Sequence, residues 1–379
     1  MEKSIEQYFA TALSNKDSDS AIKEISLTIK RIFPINVGHI IAFTTPHYNL
    51  QKIYQSIEFT LRPSDITIIQ SPLLIYNDKI IEKGITACAF NRSNITLKQA
   101  TIENDDPQLI EQKLRKLVQQ TTHQQKMALS FLGPNFLPSH FRKTAEMSLG
   151  KFFQLYTAGY THDAHGYAYK TYIDNHEAAT SLHTIFNGLN NTFVNLKGFL
   201  PLGNGFKITK AINDSGIILE IDNKPAITLY EKYLGEKFDL FKENNLFSFY
   251  PIAIRSANTT HMIYVKKHLE DGSLLCIGDI LTDLPANLML FDPQFITHKL
   301  PEKLNAFKKT EQGIIFMINS LARKKILKNK AEEEIQAIRA NIDKDIDIIG
   351  IFADYTMYPN KFIKGISWET GNNILMLWE

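Results

Sequence analysis

Apolar residues at Ile22, Ile25, Ile29 and Ile32 fall on one stripe of a helix. Ser18-Asp19-Ser20 offers cap oxygens at its start and Pro34 ends it. A strand over residues 39–43 comes next and breaks into Thr44-Thr45-Pro46. Leu50, Ile53, Tyr54, Ile57 and Leu61 then share one helical face. A second strand, 66–69, ends at Gln70-Ser71-Pro72, and a third spans 85–90. The far end of the chain repeats this plan. A strand over 313–318 ends in Asn319-Ser320, and a basic connector, 323–330, leads to a helix marked by Ala331, Ile335, Ile338 and Ile342. The strands 346–352 and 373–378 close the chain, and Pro359 is expected to break any extended structure just beyond the first of them. The strands flanking each helix are expected to be parallel, joined by a crossover.

Between these ends lie two more blocks. Asp106-Pro107 opens a helix with Ile110, Leu114, Leu117 and Val118 inside. A strand at 127–132, a helix at 139–149 and a strand at 152–157 come after it. Residues 166–222 read as strand-rich, with Gly203-Asn204-Gly205 and Asn213-Asp214 as turns, and a helix spans 226–234. The pattern predicts a mixed α/β (α+β) fold: two packed domains with mixed sheets flanked by helices. Residues 1–36 form a helical lead-in, 37–224 a first domain and 225–379 a second.

The chain has 379 residues, too many for one ordinary core. Its formal net charge of +2 provides no broad field for nucleic acid or an acidic membrane. Cys88 and Cys276 are too few for a disulfide framework and read as small buried hydrophobes. The N-terminal residues mix acids and amides with apolar residues, unlike a signal peptide, and no stretch approaches the ~20 apolar residues of a membrane span. A cytoplasmic protein is expected, and the abundance of Ile, Lys and Asn suggests an AT-rich bacterial genome.

Several stretches, in unbroken order, resemble the FIST family of bacterial sensory proteins. They include "HIIAFTTPHYNL", "MALSFLGP", "FFQLYTAGYTHD", "GFLPLGNGFKITKAINDSGIILEIDNKPAITLYEKYLG", "YPIAIR", "INSLARKKI" and "IIGIFADY". The resemblance implies a FIST N-terminal and a FIST C-terminal domain. Its motifs are degenerate here. The family's Gly-Cys-Ser-Thr-x-Gly-Glu run stands as Gln70-Ser71-Pro72-Leu73-Leu74. Its closing Gly-Phe-Tyr-Thr-x-Gly-Glu stands as 350–356, with Tyr355 and Thr356 in place of the glycine and acid. A tyrosine forbids the close backbone approach that a glycine allows, so a narrower, less acidic site is expected.

Polar residues crowd the carboxyl ends of the predicted strands, where α/β sheets bind ligands. Thr44, Thr45, Ser71, Ser320, Asp354, Tyr355 and Thr356 are therefore expected to bond a ligand, and the resemblance adds Asp163, since the family's Gly-Gly-x-Ala-x-Asp stands as 158–163 with one glycine and the acid kept. Arg255 and Arg323 are expected to neutralise a carboxylate on it. The run Arg323-Lys324-Lys325 with Lys328 and Lys330 reads either as a solvated connector or as a contact for an acidic partner. No metal pattern, phosphate loop or nucleophile elbow appears, so neither an enzyme nor a cofactor is expected. Some relatives bind haem, and His47, His162 and His165 are the axial candidates for that alternative. The expectation is a small-ligand sensor signalling through a separate protein such as a histidine kinase or cyclase. A degenerate scaffold that binds only protein is the other alternative.

Overall fold

A computed structural model of the chain describes residues 8–34, 37–91, 95–121, 126–150, 153–161, 170–173, 176–178, 181–244, 246–256, 259–292, 294–308, 310, 313–360 and 365–379. Local chemistry sets the first helices where the pattern predicts them, but the first cap is Asp17 and the expected Ser18-Asp19-Ser20 lie inside the helix. The Asp17 carboxylate accepts the Ser20 N–H at 3.1 Å and opens the helix Ser18–Ile32. Asn49 does the same for Leu50–Leu61, and Asp106 followed by Pro107 for Pro107–Gln119.

Three six-stranded sheets share one plan. In each, an edge strand pairs with a closing strand, which runs antiparallel to the first member of a parallel pair. In the first sheet these are Phe9–Ser14, Ile85–Asn91, Val37–Thr44 and Asp65–Gln70. In the second they are Thr96–Ile102, Ser181–Asn187, Lys126–Leu132 and Phe153–Gly159. In the third they are Asn191–Leu196, Asn373–Trp378, Ile314–Ser320 and Asp347–Ala353. The parallel strands flanking a helix are as expected; the number of repeats is three rather than two.

A hairpin completes each sheet, and it comes from another repeat. Leu74–Tyr76 and Lys79–Ile81 leave the first repeat and pair with Asp347–Ala353 of the third. Thr171–Ile173 and His176–Ala178 leave the second and pair with Asp65–Gln70 of the first. Tyr355–Asn360 and Gly365–Glu369 leave the third and pair with Phe153–Gly159 of the second. The exchange is cyclic. It corrects the reading of Pro359 as a breaker. The strand runs on through it, because the Phe153–Gly159 neighbour is bonded only along Tyr355–Met357 and requires no N–H from residue 359.

The inner faces of all three sheets meet in one core. Phe43, Phe131 and Phe316 each come from a different repeat, with Phe43 stacked on Phe316 at 5.3 Å and tilted against Phe131 at 6.0 Å. Strand alternation sends Ile40, Ala42 and Ile68 to the outer face, under the two helices of the first repeat. Equivalent clusters lie under the helices of the second and third repeats. Cys88 is buried in the central core and Cys276 in a separate barrel, and burial raises both thiols well above their ordinary values.

That barrel is inserted into the third repeat after Asn191–Leu196. Its strands are Phe199–Ile212, Pro285–Phe291, Ile252–Ser256, Thr259–His268, Leu274–Ile277 and Ile217–Ile221, and the last pairs with the first to close it. Residue 225 falls inside it, since strands on both sides of 225 pair with each other. Gly203-Asn204-Gly205 is not a turn. It is an irregularity within Phe199–Ile212, where Gly203 at φ +67° lets the Tyr233 ring lie where a Cβ would be. The lead-in is not only helical, because Phe9–Ser14 is the edge strand of the first sheet. The basic connector also differs from expectation. Its first half is the helix Leu321–Leu327, which buries Leu321, Arg323 and Leu327.

His183 is buried between Ser130 and Ser181, its ring nitrogens 2.8 and 2.9 Å from their hydroxyls, and Phe141 stacks on it at 5.1 Å. Burial lowers its pKa to about 3 from 6.5. The unfolded chain therefore binds a proton there below pH ~6.5 that the folded chain refuses. This contribution is fully present above pH ~6.5 and is lost as pH falls toward 3, by up to about 1.4 kcal/mol per pH unit. Urea unfolding between pH 7 and 4 is expected to show a shallower pH slope for His183→Gln than for the wild type.

Candidate functional site

In each repeat the parallel pair stops in register, at Thr44 with Gln70, Leu132 with Gly159, and Ser320 with Ala353. The next residues, Ser71, Tyr160 and Asp354, hold equivalent places in the three repeats. They converge. The Ser71 hydroxyl lies 3.1 Å from the Phe352 carbonyl, and the Asp354 N–H donates to the Gly159 carbonyl at 2.9 Å. Thr161 donates to Asp354 Oδ2 from its N–H at 2.7 Å and its hydroxyl at 3.2 Å. Thr370 donates to the Asp354 carbonyl and lies 2.8 Å from Ser320 Oγ, which accepts the Gly371 N–H at 2.9 Å. Burial raises the Tyr160 phenol well above its ordinary value; Ser71 opposes the shift and the Asp354 charge reinforces it.

Ser71, Ser320 and Asp354 are thus brought together, but into a knot in which their side chains bond the protein itself. Tyr355 turns away into the core beneath the second repeat's helices. A Cβ on Gly159 would sit 1.9 Å from its ring, so the glycine at 159 makes room for Tyr355. Burial raises the Tyr355 phenol well above its ordinary value. Thr356 is fully buried and bonds Asn372 at 2.9 Å, away from any opening. Thr44 donates to the Thr45 carbonyl, and Thr45 Oγ1 accepts the Gly84 N–H at 3.1 Å. Asp163, His162 and His165 lie outside the described residues.

The Arg323 expectation is corrected. Its guanidinium does bind a carboxylate, but that carboxylate is Glu334 of the same chain, and both side chains are 0 % exposed. Nε donates to Glu334 Oε2 at 2.8 Å, and Nη1 donates to the carbonyls of Lys197 and Gly371. Phe291 and Phe295 lie against its plane at 5.2 and 5.7 Å. Nothing of it is left for a ligand. Arg255 is exposed and lies apart from the knot, at the mouth of a hollow beside the barrel.

The open space is next to the knot. A cleft of about 860 Å³ lies between loops of the first repeat and the helix Leu321–Leu327 of the third. His47, Pro72, Leu73, Glu82 and Lys83 line one side, and Leu321, Lys324, Lys325, Lys328 and Asn329 the other. His47 is held by Thr45, with Nδ1 3.1 Å from its hydroxyl, and Pro72 directly succeeds Ser71. The expected residues therefore stand behind the wall, and their neighbours form it. Four lysines against one glutamate make the cleft strongly cationic. Lys83 and Glu82 were not singled out by the sequence; the run of lysines at 324–328 was the available signal. Half of the ten lining residues are charged and only Pro72, Leu73 and Leu321 are apolar, so the cleft at His47 does not fit a haem, which requires apolar walls. Among the described residues no group of three or more His, Cys, Asp or Glu could hold a metal, and no helix is long and apolar enough to cross a membrane.

Comparison with known proteins agrees with the order of elements. The FIST N domain matches residues 38–224 and the FIST C domain residues 226–354. The chain belongs to the FIST family. FIST domains are generally assigned to small-ligand sensing in signal transduction. No curated protein matches this FIST chain. Seven chains of solved structures are similar to it. Among them is cyanuric acid hydrolase from A. caulinodans, at 6% identity and a TM-score of 0.37 over 98% of each chain. So distant a likeness carries nothing about activity or ligand.

Breaking the buried pair leaves an uncompensated charge in the interior. Arg323→Ala is expected to lower the unfolding free energy by about 3–5 kcal/mol. The double variant Arg323→Met/Glu334→Leu is expected to recover much of that loss, as read from guanidinium unfolding midpoints.

Proposed function

We propose that this FIST protein is a small-ligand sensor whose ligand is a compact polyanion held in the lysine cleft. The observation that carries this reading is the cleft itself. It opens at the carboxyl ends of parallel strands from both ends of the chain and presents Lys83, Lys324, Lys325 and Lys328 to one volume. Like charges repel, and four ammonium groups around one hollow are held together most favourably by a ligand of opposite charge. Lys328 adds support. It has φ +53°, in the left-handed region that a non-glycine residue occupies only at a cost. A di- or tricarboxylate or a phosphorylated metabolite has the required charge.

In this reading the protein binds and does not catalyse. The Ser71 hydrogen is directed to backbone carbonyls, and the Ser130–His183 pair, which has the chemistry of a nucleophile and base, is sealed in the core. The protein works in the bacterial cytoplasm and passes its state to a separate signalling protein, such as a histidine kinase or cyclase. The helix Leu321–Leu327 is suited to carry that state, because its lysines line the cleft while Ala322 and Ile326 pack on the outer face of the barrel.

Citrate and pyrophosphate at saturating concentration, ~100 Kd, are expected to stabilise the protein by roughly 2.7 kcal/mol in thermal denaturation. Lys324→Gln/Lys328→Gln is expected to raise their Kd by at least ~10-fold, since each lost charge-assisted contact is worth about 1.5 kcal/mol or more. If no anion of either class shifts the melting temperature at millimolar concentration, the cleft is not a polyanion site.

A further inference from the structure

A second hollow, of about 360 Å³, lies between the outer face of the barrel and the third repeat. Its walls are unlike those of the lysine cleft. Met262 and Met289 project outward from the barrel strands Thr259–His268 and Pro285–Phe291, and Phe199 packs against both. Phe295 closes the far side. Gly198, at φ +75°, lets the chain pass there, since a Cβ would meet the Phe295 ring at 2.7 Å. The result is an apolar surface with two flexible thioethers, which adapt to varied ligand shapes at little cost.

Three cations stand at the rim, and two are already neutralised. Lys197 donates to Glu369 at 2.8 Å and to the Thr260 carbonyl at 2.7 Å. Lys299 pairs with Asp292 at 2.9 Å. Arg255 has neither an ion pair nor a hydrogen bond to any described residue, and it is exposed. One unspent guanidinium over an apolar floor matches a ligand with one negative charge and an apolar body. A guanidinium presents a planar fork that a carboxylate fills with two parallel hydrogen bonds. Hollows between packed units, mostly apolar with a few placed polar groups, are where small ligands bind.

We propose that this hollow binds a small amphipathic monocarboxylate, with its carboxylate on Arg255 and its apolar body against Phe199, Met262 and Met289. The site is independent of the lysine cleft: it lies on the other side of the helix Leu321–Leu327 and selects a different chemistry, one charge with an apolar tail rather than several charges.

Octanoate and benzoate, titrated calorimetrically into the full chain, test this, with acetate as the probe that keeps the charge and lacks the body. Octanoate or benzoate is expected to saturate one site at submillimolar concentration, with acetate at least ~10-fold weaker because it leaves the apolar floor uncovered. Arg255→Gln is expected to raise the Kd at least ~10-fold while leaving the melting temperature unchanged, because the side chain is exposed and bonds no described residue. Methyl-labelled Met262 and Met289 are expected to shift in NMR spectra on addition of octanoate, and Lys324→Gln/Lys328→Gln is expected to leave octanoate binding intact. Absence of saturation by both probes, equal binding by Arg255→Gln, or octanoate binding without methionine shifts would each overturn the proposal. None of these outcomes depends on whether citrate or pyrophosphate binds in the lysine cleft.

Discussion

Sheet edges carry rows of unpaired N–H and C=O groups, and the way this molecule satisfies them governs the rest of it. No repeat completes its own sheet. The outer edges of Asp65–Gln70, Phe153–Gly159 and Asp347–Ala353 are each covered by a hairpin from another repeat. An uncovered edge would expose backbone groups to water or to another chain, and a buried one would lack partners. Cyclic exchange closes all three at once, so the repeats are mutually dependent. It also fixes the site. In the first and third repeats the hairpin starts within four residues of the end of the parallel strand, and the residues that follow the three strand ends, Ser71, Tyr160 and Asp354, meet there.

At that meeting point Ser71, Thr161, Ser320, Thr370 and Asp354 bond one another and the backbone. Tyr355 and Thr356 point away from it, into the core beneath the second repeat's helices and toward Asn372, while the Thr161 amide and hydroxyl are spent on Asp354 and the Ser71 hydroxyl on backbone carbonyls. The open space lies to one side, in the cleft bounded by residues next to the knot. Arg323 and Glu334 anchor one wall of that cleft from behind. The guanidinium joins the helix Leu321–Leu327 to the Lys197 and Gly371 carbonyls, so the lysine-bearing helix is held by buried bonds while its lysines stay in solvent. The same helix packs Ala322 and Ile326 against the cluster that floors the barrel hollow. One short element therefore borders both candidate ligand spaces.

The two spaces differ in physical character. The lysine cleft would hold a ligand by charge, and its affinity would weaken with salt. The barrel hollow would hold one chiefly by apolar burial, with one guanidinium for orientation. One would suit a molecule with several charges, the other a molecule with one charge and an apolar body.

Much of this was written in local sequence. Helix stripes such as Ile22, Ile25 and Ile29, the cap at Asp106 and the apolar strands flanking them depend on neighbours within a few residues, so the sequence determined them, although the first cap fell on Asp17 rather than on Ser18-Asp19-Ser20. It also marked polar strand ends, of which Ser71, Ser320 and Asp354 do meet in the fold. A third repeat was legible too, since Phe43-Thr-Thr-Pro46 is echoed by Phe131-Leu-Gly-Pro134 at the same point of the plan. Tertiary structure alone decided which partner each group received. Arg323 and an exposed arginine look identical in sequence, and only folding put Glu334 against it. The short hairpins could not be recognised as strands, because a three-residue segment such as Leu74–Tyr76 has too little periodicity of its own and becomes a strand only on the edge of another repeat's sheet. Local preference acts through the nearest few residues, whereas pairing across 270 positions, as between Asn77 and Asp347, is set by the assembled core.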